Sequence, residues 1–357
     1  MLVLGIESSC DETAAGVVED GVRVRSNVIA SQHALHAEYG GVVPEIASRA
    51  HVERLTPVVR SAVGDAGVSL SDIGAVAVGN RPGLIGALVV GVSAGKALAW
   101  SLGVPLVGVD HVRAHLYSGL LASSSGAAPA EHDLFPALGL VVSGGHTALF
   151  RCESPIEITR LGSTIDDAVG EAYDKCAAIL GLGHPGGPTV DRLARGGNDR
   201  AYDFPISRLS AESLDFSFSG LKTSVLYAVR GTPHAREGRP TAWQRDGREL
   251  SDGEKADVCA SFQRSAVGAV TLKLRRALES DQGRGVRAIL VGGGVSANSR
   301  LRADLTALAA DARVRLVLPA MEYCLDNGAM IAGLGWRRLQ AGQSDDLTLA
   351  ASPSGVV

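Results

Sequence analysis

No two of the five cysteines in this 357-residue sequence stand close enough to form a CxxC pair, and their number is odd. That argues against a zinc ribbon and a disulfide framework, and it suits a reducing compartment. A strong charge of either sign is missing too: the formal net charge is -4, from 34 Lys and Arg against 38 Asp and Glu. Without a global basic field, any contact with nucleic acid has to come from a local patch or a partner protein. The first residues carry no basic stretch and reach Asp11 and Glu12 quickly, so they do not read as a signal peptide. The richest apolar stretch, 84–92, is about half of what a bilayer crossing needs, and Lys96 follows it. The expectation is a cytoplasmic protein with no membrane contact. Also absent are a GxxxxGK[ST] phosphate loop and an RNA-recognition motif.

What is present is 46% hydrophobic, 20% charged and rich in glycine (44 residues), a composition for tightly turned α/β lobes. The length allows two lobes of ordinary size, each with its own core. Apolar runs at 2–6 and 14–18 flank a turn of hydroxyls and carboxylates, 7–13. The plan recurs with 138–142, the turn Ser143-Gly144-Gly145-His146-Thr147, and 148–152. Two such hairpins suggest a duplicated architecture. Between them, 43–63 has helical spacing with Pro44 near its first turn, 73–78 is a strand, 84–100 a helix and 105–109 a strand. This alternation predicts a mostly parallel sheet covered by helices. A soft linker spans 122–131. A later strand, 288–291, runs through Gly292-Gly293-Gly294 into a helix from about 297 to 310. The polar, Arg/Gly/Pro-rich segment 231–253 reads as a surface insertion, with Trp243 as its one hint of docking.

Three constellations can carry chemistry. His111 and His115 stand four apart where a helix opens after a strand, so both imidazoles can face one ion; they can equally be capping or surface histidines. A peptidase of the HExxH kind needs Glu after the first His, and here that position is Val112. Asp326, in Cys324-Leu325-Asp326-Asn327-Gly328-Ala329, is a candidate third ligand or else a helix N-cap. Two histidines and one carboxylate with open positions suit iron or zinc.

The second constellation pairs the 143–147 turn with Gly292-Gly293-Gly294-Val295-Ser296-Ala297-Asn298, backbone-rich turns that fit a phosphate and an adenosine but more often only connect elements. In the third, Asp167, Glu171 and Asp174 form an acidic stripe at helical spacing, either solvated or leading to a ribose contact through Asp174 and Gly187, with Asp191 one turn on. Basic clusters at 192–208 and 264–287, with Arg300, Arg302, Arg313 and Arg315, read either as a soluble face or as contacts for tRNA phosphates.

Taken in order, these segments resemble the tRNA threonylcarbamoyladenosine transferase family (TsaD), once described as sialoglycoprotein endopeptidases. The matching pieces are Gly5-Ile6-Glu7-Ser8-Ser9-Cys10-Asp11-Glu12-Thr13, Tyr39-Gly40-Gly41-Val42-Val43-Pro44-Glu45, His111 with His115, and the turn at 142–147. They continue through Gly170-Glu171-Ala172-Tyr173-Asp174-Lys175, 185–188, 215–222, 292–298 and Asp326-Asn327-Gly328-Ala329-Met330.

The resemblance implies an actin-like, sugar-kinase-like fold of two similar lobes: 1–112 with about 320–345, and 113–319. It implies transfer of a threonylcarbamoyl group from threonylcarbamoyl-AMP to N6 of the adenosine 3′ of the anticodon, in tRNAs reading codons that begin with A. By the same likeness His111, His115 and Asp326 hold one divalent metal ion, iron ahead of zinc. Val141, Val142, Ser143, Gly144, Gly145, Asp174, Gly187, Asp191 and Asn298 hold the adenylate, and Asp11 and Glu12 lie at the reacting group. Expected partners are a same-fold paralogue and a small ATPase. Two departures stand out. Asn80-Arg81 precedes Pro82-Gly83-Leu84 where many members have Ala-Gly, with room to crowd the cleft or add a phosphate contact, and the 231–253 segment is long. Rival readings are a metallopeptidase, a sugar or carboxylate kinase, and a nucleotide-binding scaffold.

Overall fold

The computed structural model describes residues 1–122, 128–129, 131–231, 243 and 249–355. Most of the expected linker and most of the 231–253 insertion lie outside the described residues. Trp243 is described, with its ring 6.3 Å from that of Tyr227.

Two five-stranded sheets carry the chain. The first contains β1 (Leu2–Glu7), β2 (Glu12–Glu19), β3 (Arg23–Ser31), β4 (Ile73–Arg81) and β5 (Leu106–Asp110), in the order β3-β2-β1-β4-β5. The second contains β6 (Ala137–Val142), β7 (Thr147–Cys152), β8 (Ile158–Ser163), β9 (Ala288–Gly292) and β10 (Arg315–Val317), in the order β10-β9-β6-β7-β8. The orders are the same with the numbers advanced, so the duplication suggested by two hairpins extends to the sheets themselves. Each sheet is mixed, and this corrects the expectation of mostly parallel pairing. β1/β2/β3 and β6/β7/β8 are antiparallel meanders, because their connections are too short for a crossover. Only the pairs reached through helices, β1/β4/β5 and β6/β9/β10, run parallel.

Between the strands run α1 (His33–His36), α2 (Pro44–Asp65), α3 (Ile85–Leu102), α4 (His111–Tyr117), α5 (Val169–Leu180), α6 (Gly186–Ala194), α7 (Ser219–Arg230), α8 (Asp252–Glu279), α9 (Ser299–Ala312) and α10 (Gly328–Gln340). α2 starts with proline at its first position, where a missing N–H costs nothing. α3 continues through Lys96 to Leu102 and is by length and composition long enough to cross a membrane, which the apolar stretch alone did not indicate. Its inner side, including Ala87, Leu88, Val92 and Ala99, is buried, and the helix lies against β4 and α2.

Apolar burial divides into three clusters. One lies between the first sheet and α2/α3, around Leu4, Ile6, Val17, Leu55 and Val76. Another lies between the second sheet and α5–α9, around Leu140, Tyr173, Phe216, Phe262 and Leu305. The third fills the middle: α10 lies on β1, β2 and β4, α4 contacts α10, β6 and β9, and Leu116, Tyr117, Leu290 and Met330 pack together. Burial on that scale, at about 25 cal/mol per Å² of apolar surface, holds α4 rigidly between the sheets. α4 is the element that carries the histidine pair.

Candidate functional site

α4 begins where β5 ends, and the Asp110 carboxylate caps it by accepting the Arg113 N–H at 3.1 Å. The cap fixes the first turn, so His111 and His115 project from one face with ring centroids 4.6 Å apart. Both are buried. Asp326 comes from the turn before α10. The N-cap there is its neighbour Asn327, whose side chain accepts the Met330 N–H at 2.8 Å, so the capping alternative for Asp326 is corrected. Asp326 Oδ1 lies instead 3.6 Å from His111 Nε2 and 3.1 Å from His115 Nε2.

Both nitrogens of His115 are buried without a hydrogen-bond partner, so the short approach to Asp326 is not an aligned hydrogen bond. A cation among the three would use the orphaned Nε2, and two imidazoles with one carboxylate are borderline ligands suited to zinc or ferrous iron. The residues fit such an ion. Glu7 closes β1 and is fully buried, with Oε2 3.0 Å from His111 Nδ1 and Oε1 accepting the Ser9 N–H at 2.5 Å. Ser9 Oγ is 3.1 Å from the same His111 nitrogen. A carboxylate behind a ligating histidine fixes its tautomer and aim. Neither Glu7 nor Ser9 was singled out from sequence. An acidic residue closing an otherwise apolar strand marks Glu7 as unusual, but its pairing with His111 follows only from the strand order.

Charge in this pocket is strongly coupled. Burial disfavours a charged His111, but Asp326 and Glu7 outweigh it and push the ring up to about 10. Burial likewise opposes ionised Asp326, yet His111 and His115 hold its carboxyl well below the usual carboxylate range. His146, in the turn between β6 and β7, has its ring 6.3 Å from that of His111. Burial, with His111 and His115 adding, pushes it down to about 4, so it faces the pocket as a neutral imidazole.

Asp11 ends the β1–β2 turn and Glu12 opens β2, and both are buried. His51 from α2 braces that turn through Thr13 Oγ1 at 2.8 Å and the Cys10 carbonyl at 3.0 Å. Burial, with Asp326 and Asp11 adding and His33 opposing, pushes the Glu12 carboxyl up to about 8.

The second lobe presents the remaining residues. The Val141 and Val142 side chains are fully buried, leaving only their backbone to face a ligand, whereas Gly144 and Gly145 have open space where a side chain would stand. Ser143 tightens the turn by donating its N–H to the His146 carbonyl at 2.7 Å. Asp174 accepts the Gly186 N–H at 2.7 Å, and Gly187 beside it is open. Asp191 is engaged by Ser299 Oγ at 2.7 Å and Arg195 at 3.0 Å. Asn298 caps α9 through Leu301 N–H and donates to Gln263 at 2.8 Å. The acidic stripe resolves differently: Asp167 precedes α5, and Lys175 bridges it at 2.6 Å to Glu171 at 2.7 Å.

Most of the suspected basic clusters are also held internally, with Arg300 on Asp199 and Asp304, Arg302 on the Ser296 carbonyl, and Arg315 on Asp133. Asn80 does not crowd the cleft. Its Nδ2 donates to the Ala350 carbonyl at 3.0 Å and its own carbonyl accepts from Ser352, while Arg81 stands 3.8 Å from Asp110.

The description tRNA N6-adenosine threonylcarbamoyltransferase (TsaD) matches residues 23–333. Curated relatives bearing that name include one from Trichlorobacter lovleyi, 49% identical over 352 residues, spanning 99% of this chain and 96% of the relative. Another, from Sorangium cellulosum, is 49% identical over 358 residues, spanning 98% and 95%. Two solved structures share the fold. Component A of the Acidaminococcus fermentans (R)-2-hydroxyglutaryl-CoA dehydratase is 13% identical with a TM-score of 0.51, over 96% of this chain and 100% of that one. HypF from T. kodakarensis is 14% identical with a TM-score of 0.57, over 95% of this chain and 48% of that one. At such identities they bear on architecture alone, which is the actin-like, two-sheet class expected.

Proposed function

The chain belongs to the TsaD family of tRNA N6-adenosine threonylcarbamoyltransferases, and we propose that its donor is threonylcarbamoyl-AMP, bound between the lobes beside a metal held by His111, His115 and Asp326. The reaction of the family is transfer of threonylcarbamoyl to N6 of a tRNA adenosine. In this reading the acceptor is the adenosine 3′ of the anticodon in tRNAs whose codons begin with A. The observation that carries the proposal is the convergence of the two imidazoles and Asp326 at the mouth of β5, facing the 143–146 turn.

The lobes in this reading are 1–112 with 320–345, and 113–319; the packing of α10 on β1, β2 and β4 supports the division. The adenylate lies along the second lobe, on the backbone of 141–145 and the open surface at Asp174 and Gly187. Asp191 and Asn298 shape that wall from behind, through Ser299, Gln263 and the start of α9.

The exocyclic amine of adenine is a weak nucleophile, so positioning and charge stabilisation supply most of the acceleration. A divalent ion, iron ahead of zinc, supplies Lewis acidity toward the donor's oxygens when bound. The amine attacks the carbamoyl carbon, a C–N bond forms, and the C–O bond to phosphate breaks with AMP leaving. Asp11 or Glu12 takes the proton lost by nitrogen; burial raises the Glu12 carboxyl to about 8, so its ionised form is a stronger base than an ordinary carboxylate. Glu7 and Ser9 keep His111 aimed, and His51 holds the turn that carries the carboxylates. A same-fold paralogue and a small ATPase are the proposed partners, tRNA docking is shared with them, and the compartment is the cytoplasm.

The test is nucleoside mass analysis of unmodified tRNA incubated with threonylcarbamoyl-AMP, the purified chain and those partners. Modified adenosine with the wild type and none with His111→Ala or Asp326→Ala supports the reading. Undiminished modification by both variants leaves only the scaffold reading.

A further inference from the structure

His33 belongs to none of the motifs above. It opens α1 just past β3, and its Nε2 reaches back to the β1–β2 turn, 3.1 Å from Glu12 Oε1 and 3.5 Å from Asp11 Oδ2. Its side chain is 37% exposed, while those of Asp11 and Glu12 are only 12% and 8% exposed. Among the described residues, no other cationic side chain is ion-paired with either carboxylate. The far side of the ring meets the second lobe. The His184 ring stands edge-on with its centroid 6.3 Å away, and His184 Nδ1 is 3.9 Å from Asp174 Oδ1. His33 therefore stands where the catalytic turn of one lobe faces the ribose-side carboxylate of the other.

Two adjacent, nearly buried carboxylates resist double ionisation unless a counter-charge is close. Glu12 faces Asp11 and Asp326, which both disfavour its charge, and His33, which favours it. His33 faces Glu12, Asp11 and Asp174, which all favour the imidazolium, and its neighbour His184. We infer that His33 is the positioning residue of the Asp11/Glu12 pair: its imidazolium orients both carboxylates toward the cleft and keeps them able to accept the amine's proton. The inference rests on the proposed role of that pair as proton acceptor. The direction of the shifts agrees, since the Glu12 hydrogen bond raises the His33 ring, and His33 in turn draws the Glu12 carboxyl down from where burial would leave it.

The experiment is the pH profile of kcat/KM for the assembled enzyme carrying His33→Gln or His33→Lys. Glutamine keeps a donor but loses the charge. It should melt within a few degrees of wild type, lose about tenfold of kcat/KM at pH 7 through kcat, and move the acidic limb up by about one pH unit. Lysine should return the limb toward wild type. A wild-type limb and rate in His33→Gln overturns the inference. By NMR, the His33 ring should titrate above about 6.5, the ordinary value, and fall back in Glu12→Gln; a ring titrating at or below that value in the wild type also overturns it. Inactive Asp11→Asn and Glu12→Gln beside an unaffected His33→Gln sinks this inference alone. Full turnover in the carboxylate variants sinks the proton-acceptor reading and this one with it.

Discussion

Asp326 Oδ1 lies 3.1 Å from Nε2 of His115, a buried ring in which neither nitrogen has a hydrogen-bond partner. The orphaned His115 nitrogen facing this carboxylate makes with it a donor set that a bound cation would complete. Asp326→Asn should therefore lower the bound metal below stoichiometric and cut turnover more than about 100-fold, beyond the usual cost of an outer partner. Elemental analysis of the purified variant, paired with the tRNA assay, checks both halves.

Glu7 is the outer partner. Replacing it by Gln keeps the shape but removes the charge behind His111 Nδ1. Metal affinity should drop about 10- to 100-fold, measured by competition against a chelator, with the ligands themselves intact. An unchanged affinity would mean that Glu7 only fills space.

Metal uptake should release protons. With His111 pushed up to about 10 by Asp326 and Glu7 against the effect of burial, the metal-free ring keeps two protons at neutral pH, and Nε2 must lose one to bind. Affinity should rise with pH up to about 10. Calorimetry in buffers of different ionisation enthalpy counts the protons. By linkage, the ring's contribution to metal-free stability is fully present below the unfolded value of about 6.5 and is lost as pH rises through about 10. A melting temperature of the metal-free protein that climbs over that range would argue the other way.

Gly292 ends β9 against α4, where a Cβ would overlap the His115 carbonyl. Gly292→Ala should shift α4, cost about 3 kcal/mol or more, and lose metal together with thermal stability. Dichroism melts and metal content measured on one preparation test that coupling.

Asn80→Ala removes the donor that holds the Ala350 carbonyl. A cost of about 1 kcal/mol is expected, with faster proteolytic cleavage in 345–355 and little change in the transfer rate. A large loss of activity with the tail still protected would restore a cleft role for this position.

The histidine pair and the Gly-rich turns were legible because spacing on one element and residue type carry that information locally, whereas Asp326, far along the chain, was tied to them by the family resemblance. Their surroundings were not. Glu7 meets His111 only because β1 and β5 flank β4 in one sheet, and His33 meets Glu12 only because β3 returns along β2. Such juxtapositions are set by strand order, which periodicity does not encode. The same limit explains the misread sheets: helical crossovers were visible, but the meanders formed by β3 and β8 made each sheet mixed. The acidic stripe misled because Lys175, one residue beyond Asp174, folds back to bridge Asp167 and Glu171.

Anomalous scattering from a crystal of the iron- or zinc-loaded protein tests the metal assignment most directly. The account predicts one peak among His111 Nε2, His115 Nε2 and Asp326, with ligand distances of about 2.0–2.2 Å. A peak confined to Asp11, Glu12 and His33, the other cluster with ligand spacing, or no peak at all, would contradict it.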